Sequence, residues 1–434
     1  MNKKLLLIPI AIGIVALLII NITKSNPVHG TKAEMEVPST TVDMSKTPKA
    51  VTVFLDNSGS MQGYVNFASK SDGFETAKQT MITNVADFMG NVDASCGLVS
   101  KAECGPRSYT AETLIQAMRN YSAFSGAITE LDGLVSQAIA AASDTALSVI
   151  VSDMVLSYGK SAIAKNGNKN YNRQELPALS SLVGNQFKKL KKADIEVLIL
   201  KYESDFNGSF YYNCTENIEP CEFKNTLMKK RPYYFFIVGK DEYIKSLCAH
   251  KCFPAPDAVF STLEVDDDDM MIQSFSISAP KGWTVGGHDE KGDSETVCLW
   301  TPDNFGDAAA TFNITFNPIE VPLYAQGAIE AEFDRDVVSN VTFDDQALNS
   351  LVVTLNSFNV LPKEDDDVEI KLAVIRGNDA AASSVESDYG VDVSALEGKT
   401  WGFESILDKI YEAYDIEADD KETIAKLKFA ISKK

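Results

Sequence analysis

Asp56, Ser58 and Ser60 sit at alternate positions in Val-Thr-Val-Phe-Leu-Asp-Asn-Ser-Gly-Ser-Met. Val51 to Leu55 is β-branched and apolar, so it reads as a buried strand. Its carboxyl end delivers one carboxylate and two hydroxyls into a Gly-containing turn. Asp153 closes a second such run, Ala146-Leu-Ser-Val-Ile-Val-Ser-Asp. Two apolar strands that each end in Asp predict an open α/β sheet with its ligand site outside the carboxyl ends of the strands. Oxygen ligands without His or Cys suit a hard divalent cation, Mg²⁺ first, with Mn²⁺ and Ca²⁺ as the related alternatives. The competing reading is a polar turn, because Asp, Asn, Ser and Gly favour turns for local hydrogen-bonding reasons. Thr129 and Asp153, both in positions to join the cluster, weigh against it.

This constellation resembles the metal-ion-dependent adhesion site of the von Willebrand factor type A (VWA) family, whose signature is DxSxS, a distant Thr and a distant Asp. The first part is complete as Asp56-Asn-Ser58-Gly-Ser60. The Thr stands in Ser125-Gly-Ala-Ile-Thr129-Glu-Leu-Asp-Gly-Leu, with one Gly of the usual pair missing, and Met154 follows Asp153 where the family usually has Gly. The resemblance covers roughly residues 50 to 240. It implies an α/β, doubly wound, mostly parallel sheet. It also implies that Ser58, Ser60 and Thr129 contact Mg²⁺ directly while Asp56 and Asp153 act through water. Few protein charges then touch the metal, and an Asp or Glu of a partner protein completes the octahedral shell at roughly 2.0–2.1 Å. The resemblance therefore implies a binding device and not an enzyme.

The elements that must position these residues alternate strand and helix from Val51 onward. Phe74 to Met89 carries Phe74, Ala77, Met81, Val85 and Phe88 at helical spacing. Further helices are expected over about Glu130 to Ala142 and Gln174 to Lys192, and strands over Ile195 to Tyr202 and Arg231 to Gly239. Pro232 suggests that the last is an edge strand. The aromatic stretch Phe206 to Tyr212 reads as an added hairpin packed on the body. Val259 to Val265, Met271 to Ser278, Thr296 to Trp300, Ala310 to Phe316, Val337 to Phe343, Leu351 to Phe358 and Val368 to Ile375 are short β-rich runs that read as a β-sandwich. Its acidic runs, Asp266 to Asp269 and Glu364 to Asp367, read as solvated turns. Two amphipathic helices, Gly402 to Tyr414 and Lys421 to Ile431, are expected at the carboxyl end. The predicted organisation is an amino-terminal anchor (1–23), a flexible stalk (24–49), the α/β domain (50–247), the sandwich (248–378) and a helical carboxyl-terminal segment (379–434) packed against the body of the protein.

Lys3 and Lys4 precede the uncharged apolar run Leu5 to Ile22, whose 18 residues reach about 27 Å as a helix, near the thickness of a bilayer core. A cleaved secretory signal is the competitor, but no small-residue cleavage motif follows Ile22. The expectation is a single anchor with the bulk of the chain extracytoplasmic, periplasmic or at the cell surface. Among the 434 residues, 61 acidic against 40 basic give a formal net charge of −21, which argues against nucleic-acid partners.

Seven cysteines fit an oxidising compartment. Cys96 and Cys104, Cys214 and Cys221, and Cys248 and Cys252 form close pairs as disulfide candidates, with Cys298 alone. A helical Cys248–Cys252 spacing would strain a disulfide, so cross-pairing with Cys214, Cys221 or Cys298 stays open. Cys248-Ala-His250-Lys-Cys252 lacks the second half of a zinc site.

Enzyme readings are weak. A dehalogenase-type phosphatase needs an Asp where Ser58 stands. Ser157-Tyr-Gly-Lys160 matches S-x-x-K without its companion motifs. With only 3 His in the chain, a His-based triad has little support. The expected function is metal-dependent binding of a partner protein. A metal-independent scaffold of an envelope assembly is the alternative, and a hydrolase on Ser157 and Lys160 the third.

Overall fold

A computed structural model describes residues 32–36, 46–65, 73–89, 95–99, 111–119, 124, 131–155, 184–212, 221–265, 274–279, 281–286, 297–301, 310–317, 321–326, 328–333, 338–343, 350–355, 366–375, 381–385, 392–417 and 420–433. A first strand, β1 (Lys32–Glu36), precedes the α/β part. That part runs β2 (Ala50–Asp56), α1 (Gly73–Phe88), β3 (Ser95–Val99), α2 (Ala111–Met118), α3 (Leu131–Ala141) and β4 (Ala146–Ser152). It continues with α4 over 184–192, β5 (Glu196–Tyr212), β6 (Cys221–Gly239), α5 (Asp241–Ala249) and β7 (Ala258–Ser261).

The strands form one sheet in the order β3-β2-β4-β6-β5-β7. Its two faces explain the nearly continuous apolar strands. Val51, Val53 and Leu55 join a core with α1 and α2, while Phe54 turns to the opposite core with Leu134, Val135 and Ala138 of α3 and Phe187 and Leu190 of α4.

The expectation of a mostly parallel sheet is corrected to a mixed one. β2 is parallel to β3 and β4, but the β4/β6, β6/β5 and β5/β7 pairs are antiparallel. The reason is a long hairpin: β5 returns directly as β6, which inserts between β4 and β5. β6 is therefore not an edge strand. Pro232 is tolerated because the β4 pairing runs from Ser148↔Val238 to Ser152↔Tyr234 and stops short of it. β7, read from the sequence as the first sandwich strand, pairs with β5 instead.

The remaining strands are β8 (Ser274–Ser278), β9 (Thr284–Gly286), β10 (Val297–Thr301), β11 (Ala310–Asn317), β12 (Ala328–Phe333), β13 (Val338–Phe343), β14 (Ser350–Leu355) and β15 (Asp366–Ile375). A short pair follows, β16 (Ser384–Val385) with β17 (Thr400–Trp401), then α6 (Phe403–Tyr414) and β18 (Lys421–Lys433). They build two five-stranded sheets, β1-β8-β11-β14-β13 and β12-β15-β18-β10-β9. Within these two sheets all pairs are antiparallel except β10 with β18, and the short β16/β17 pair is parallel. Phe275, Ile277, Phe312, Ile314 and Val353 from the first sheet share an apolar cluster with Ile370, Leu372, Leu427, Phe429 and Ile431 of the second.

Two expectations are corrected here. Lys421 to Ile431 is not a helix: β18 pairs with β15 on one side and β10 on the other. Lys32 to Glu36, expected within a flexible stalk, is a strand whose Ala33 and Met35 lie opposite Ile277 and Phe275. Its apolar residues at alternate positions make that register possible. The stripe of α6 packs against the body as expected, with Phe403, Ile406, Leu407 and Ile410 in one cluster with Phe54, Tyr234 and Phe236 of the α/β sheet. The run Leu5 to Ile22 lies outside the described residues, among which no helix is long and apolar enough to cross a membrane. The acidic run Asp266 to Asp269 also lies outside them, and Asp366 and Asp367 belong to β15.

Glu196, at the start of β5, gives this fold a pH dependence. Burial pushes its carboxyl up to about 7, against the lowering hydrogen bond from Thr262. Its folded-state value therefore lies above its unfolded one, and the native state holds a proton that the unfolded chain releases. Stability is expected to fall as pH rises from about 4.5 to about 7, by on the order of 1–2 kcal/mol once partial exposure is allowed for. Urea midpoints across that range check this, and Glu196→Gln should flatten the slope.

Candidate metal site at the carboxyl edge of the sheet

The parallel strands β2 and β4 end at the same edge, which brings Asp56 beside Ser152 and Asp153. β6 runs the other way, and its pairing Ser152↔Tyr234 carries Arg231 past the end of β4 to that edge. β5 reaches it too, because Ser204 is paired with Arg231, and the hairpin continues outward through Phe206 and Phe210. After Ser58 the chain makes a 3₁₀ turn, Gly59–Tyr64, under the hairpin. A Cβ on Gly63 would lie 2.1 to 2.6 Å from the Phe206 ring, and one on Gly208 would lie 2.7 Å from Gly63 Cα. Only glycine at both positions lets turn and hairpin approach so closely. Gly63→Ala is expected to cost about 1–3 kcal/mol by overpacking, read from the urea midpoint.

Asp56, Ser58 and Ser60 are buried together. Asp56 Oδ1 accepts the Ser58 backbone N–H at 2.8 Å, which fixes the turn, and Oδ2 accepts the Ser152 hydroxyl at 2.8 Å. The Ser58 and Ser60 hydroxyl oxygens are 2.9 Å apart. Two neighbouring ligands of an octahedral Mg²⁺ with bonds of about 2.0–2.1 Å lie roughly 2.9 Å apart. The two hydroxyls are hydrogen-bonded to each other, and as a pair they offer that ion neutral oxygen donors at a compatible spacing.

Asp153 is engaged differently. Its Oδ2 accepts from the Arg231 guanidinium at 2.8 Å, and each side chain is only 2% exposed. Its Oδ1 accepts the Val155 N–H at 3.3 Å. The guanidinium is enclosed by rings, with Phe210 at 4.5 Å, Phe206 at 4.6 Å and Tyr64 at 5.9 Å from its carbon. Arg231 is held above its ordinary value against the lowering effect of its burial, with the Asp153 carboxylate hydrogen-bonded to it. Burial likewise pushes the Tyr64 hydroxyl well up, so it stays protonated and donates to the Pro232 carbonyl. Arg231 is thus a permanent cation in an apolar cage. Breaking such a buried pair from one side costs about 3–5 kcal/mol. Met154 follows with φ of 54°, left-handed backbone that glycine adopts at least cost, and its N–H donates to Ser152 Oγ at 3.0 Å.

Of the residues expected at this site, Asp56, Ser58, Ser60 and Asp153 come to one edge. Thr129, Ser157 and Lys160 lie outside the described residues. Among the described residues no group of three or more His, Cys, Asp or Glu gathers, and the set at this edge is built largely on hydroxyls. Ser152, Tyr64 and Arg231 were not singled out from the sequence. A charged residue opening the buried aromatic run Arg231-Pro-Tyr-Tyr-Phe-Phe was the available signal for the last.

Two of the disulfide candidates are corrected. Cys248 and Cys252 are buried free thiols. They follow each other through the end of α5, and burial pushes Cys252 up to about 12 and Cys248 well up too, so both stay protonated and unreactive. His250 between them meets the Ser246 carbonyl at 2.9 Å through Nδ1 and the Phe88 ring edge-on. Cys104 and Cys214 lie outside the described residues, and Cys96 and Cys221 are described by backbone alone.

No family model, no curated protein and no solved structure matches this chain.

Proposed function

We propose that this chain is a VWA-type binding protein, anchored in a membrane by Leu5 to Ile22 with its bulk extracytoplasmic, which grips an acidic side chain of a partner protein through a divalent cation, Mg²⁺ first. The observation that carries this reading is the hydroxyl pair of Ser58 and Ser60, 2.9 Å apart beside Asp56 at the end of a central parallel strand. Ser58 and Ser60 would hold the ion directly, Thr129 would add a third hydroxyl, and Asp56 would orient its water shell. When bound, the ion supplies a positive centre that a carboxylate can complete. Asp56 itself is held by Ser58 N–H and Ser152, so the hydroxyl pair stays in register. The left-handed backbone at Met154, where the family usually has Gly, supports the reading as well. Helices on both faces of the sheet agree with a doubly wound arrangement.

Affinity capture from membranes with the full chain tests this. Recovery of the partner should fall at least tenfold in EDTA and in Ser58→Ala/Ser60→Ala. The second reading, a metal-independent scaffold, is favoured by Asp153, whose charge is already met by Arg231; it predicts capture indifferent to EDTA.

A further inference from the structure

The proposed metal reading gives no role to Arg231, the buried cation at the carboxyl edge of β4. Arg231 comes from β6, the strand of the β5/β6 hairpin that pairs with β4, and past the end of that pairing it bonds Asp153 at 2.8 Å. Two of its three ring neighbours, Tyr64 and Phe206, tie it to the turn that follows Ser58 and carries Ser60. Tyr64 ends that turn, and Phe206 fills the space that Gly63 leaves open. The guanidinium is therefore fixed by the hairpin and the turn together, and it cannot swing away to solvent. Asp153 has the Val155 N–H on one oxygen and this guanidinium on the other.

We propose that Arg231 is a built-in counter-cation that holds Asp153 back from the divalent ion, setting the metal affinity of the hydroxyl pair low and reserving the remaining charge demand of the ion for the partner's carboxylate. This deepens the reading above and rests on it for the identity of the ion. Arg231 is a positioning residue: it touches Asp153 and not the ion. A two-charge ion facing two uncompensated carboxylates would be largely neutralised by the protein, whereas one facing an Asp153 already bound to a guanidinium keeps its attraction for an external anion. Removing the guanidinium charge while keeping Asp153 should hand that carboxylate to the metal.

The test titrates MgCl₂ into the full chain by calorimetry and follows thermal unfolding in EDTA and in Mg²⁺. It compares the wild type with Arg231→Met, Asp153→Asn and the double variant. Arg231→Met is expected to bind Mg²⁺ at least tenfold tighter than the wild type and to gain the largest Mg²⁺-dependent rise in melting temperature. The double variant should lose that gain, and Asp153→Asn, which leaves the Arg231 charge unpaired at this edge, should bind Mg²⁺ more weakly than the wild type. If Arg231→Met unfolds in EDTA, recovery of a cooperative melt in Mg²⁺ supports the proposal, and a chain that stays unfolded at saturating Mg²⁺ overturns it. Arg231→Met binding no tighter than the wild type also overturns it. A wild type without Mg²⁺ heat beside an Arg231→Met that binds would end the proposed function and leave this inference standing. A wild type that binds beside an Arg231→Met without gain would end this inference alone.

Discussion

Phe429→Ala is expected to lower stability by about 3–5 kcal/mol, as large-to-small changes of buried aromatics do. Phe429 lies in β18 with no solvent exposure, between Val368 of β15 and Val297 of β10. Its ring meets Phe312 of the facing sheet edge-on, centroids 5.7 Å apart. The substitution thus removes a contact that joins the two sheets at a strand paired on both sides. Lys428→Ala is the control: its side chain is mostly exposed and pairs with Glu369 at 3.1 Å, so the loss should stay within about 1 kcal/mol. Urea unfolding of both variants separates a buried central strand from a surface helix, because a helix docked by one stripe would lose much less at position 429.

The second large effect is at Asp56. Asp56→Ala strands the Ser58 N–H and the Ser152 hydroxyl, both buried, and each unsatisfied group costs about 1–3 kcal/mol. The expected loss is on the order of 2–4 kcal/mol, together with loss of metal-dependent partner capture. Asp56→Asn keeps an oxygen for the Ser58 N–H but presents an amide where Ser152 needs an acceptor, so its cost should fall between the wild type and Asp56→Ala. Equal stability of all three proteins would mean that the turn is held by other contacts.

The site was legible as far as its chemistry is local. Asp56-Asn-Ser-Gly-Ser after an apolar strand carries its own turn geometry, and the alternation of strands and helices puts such a turn at the carboxyl edge. Arg231 was not legible, because its partner Asp153 is 78 positions away and the meeting depends on the pairing of β6 beside β4. No local rule predicts that β6 inserts between β4 and β5. β18 misled for a different reason. Ile424, Leu427 and Ile431 have helical spacing, but the register shift between Leu372↔Ala425 and Ala373↔Thr423 makes Ile424 the extra residue of a bulge. From Ala425 onward the apolar residues Ala425, Leu427, Phe429 and Ile431 alternate strictly, as a strand with one buried face requires. The bulge shifts the phase once, and that shift imitates a helix. The Lys32–Glu36 strand was hidden in a polar segment because only five residues pair and their partner strand, β8, lies more than two hundred positions away.

Calorimetric titration of Mg²⁺ into the full chain tests the central claim most directly. A saturable heat with one ion per chain is expected, lost in Ser58→Ala/Ser60→Ala while that variant still melts cooperatively in EDTA. A folded wild type that gives no heat at millimolar Mg²⁺, or an unchanged heat in the double variant, would contradict a cation held by those two hydroxyls.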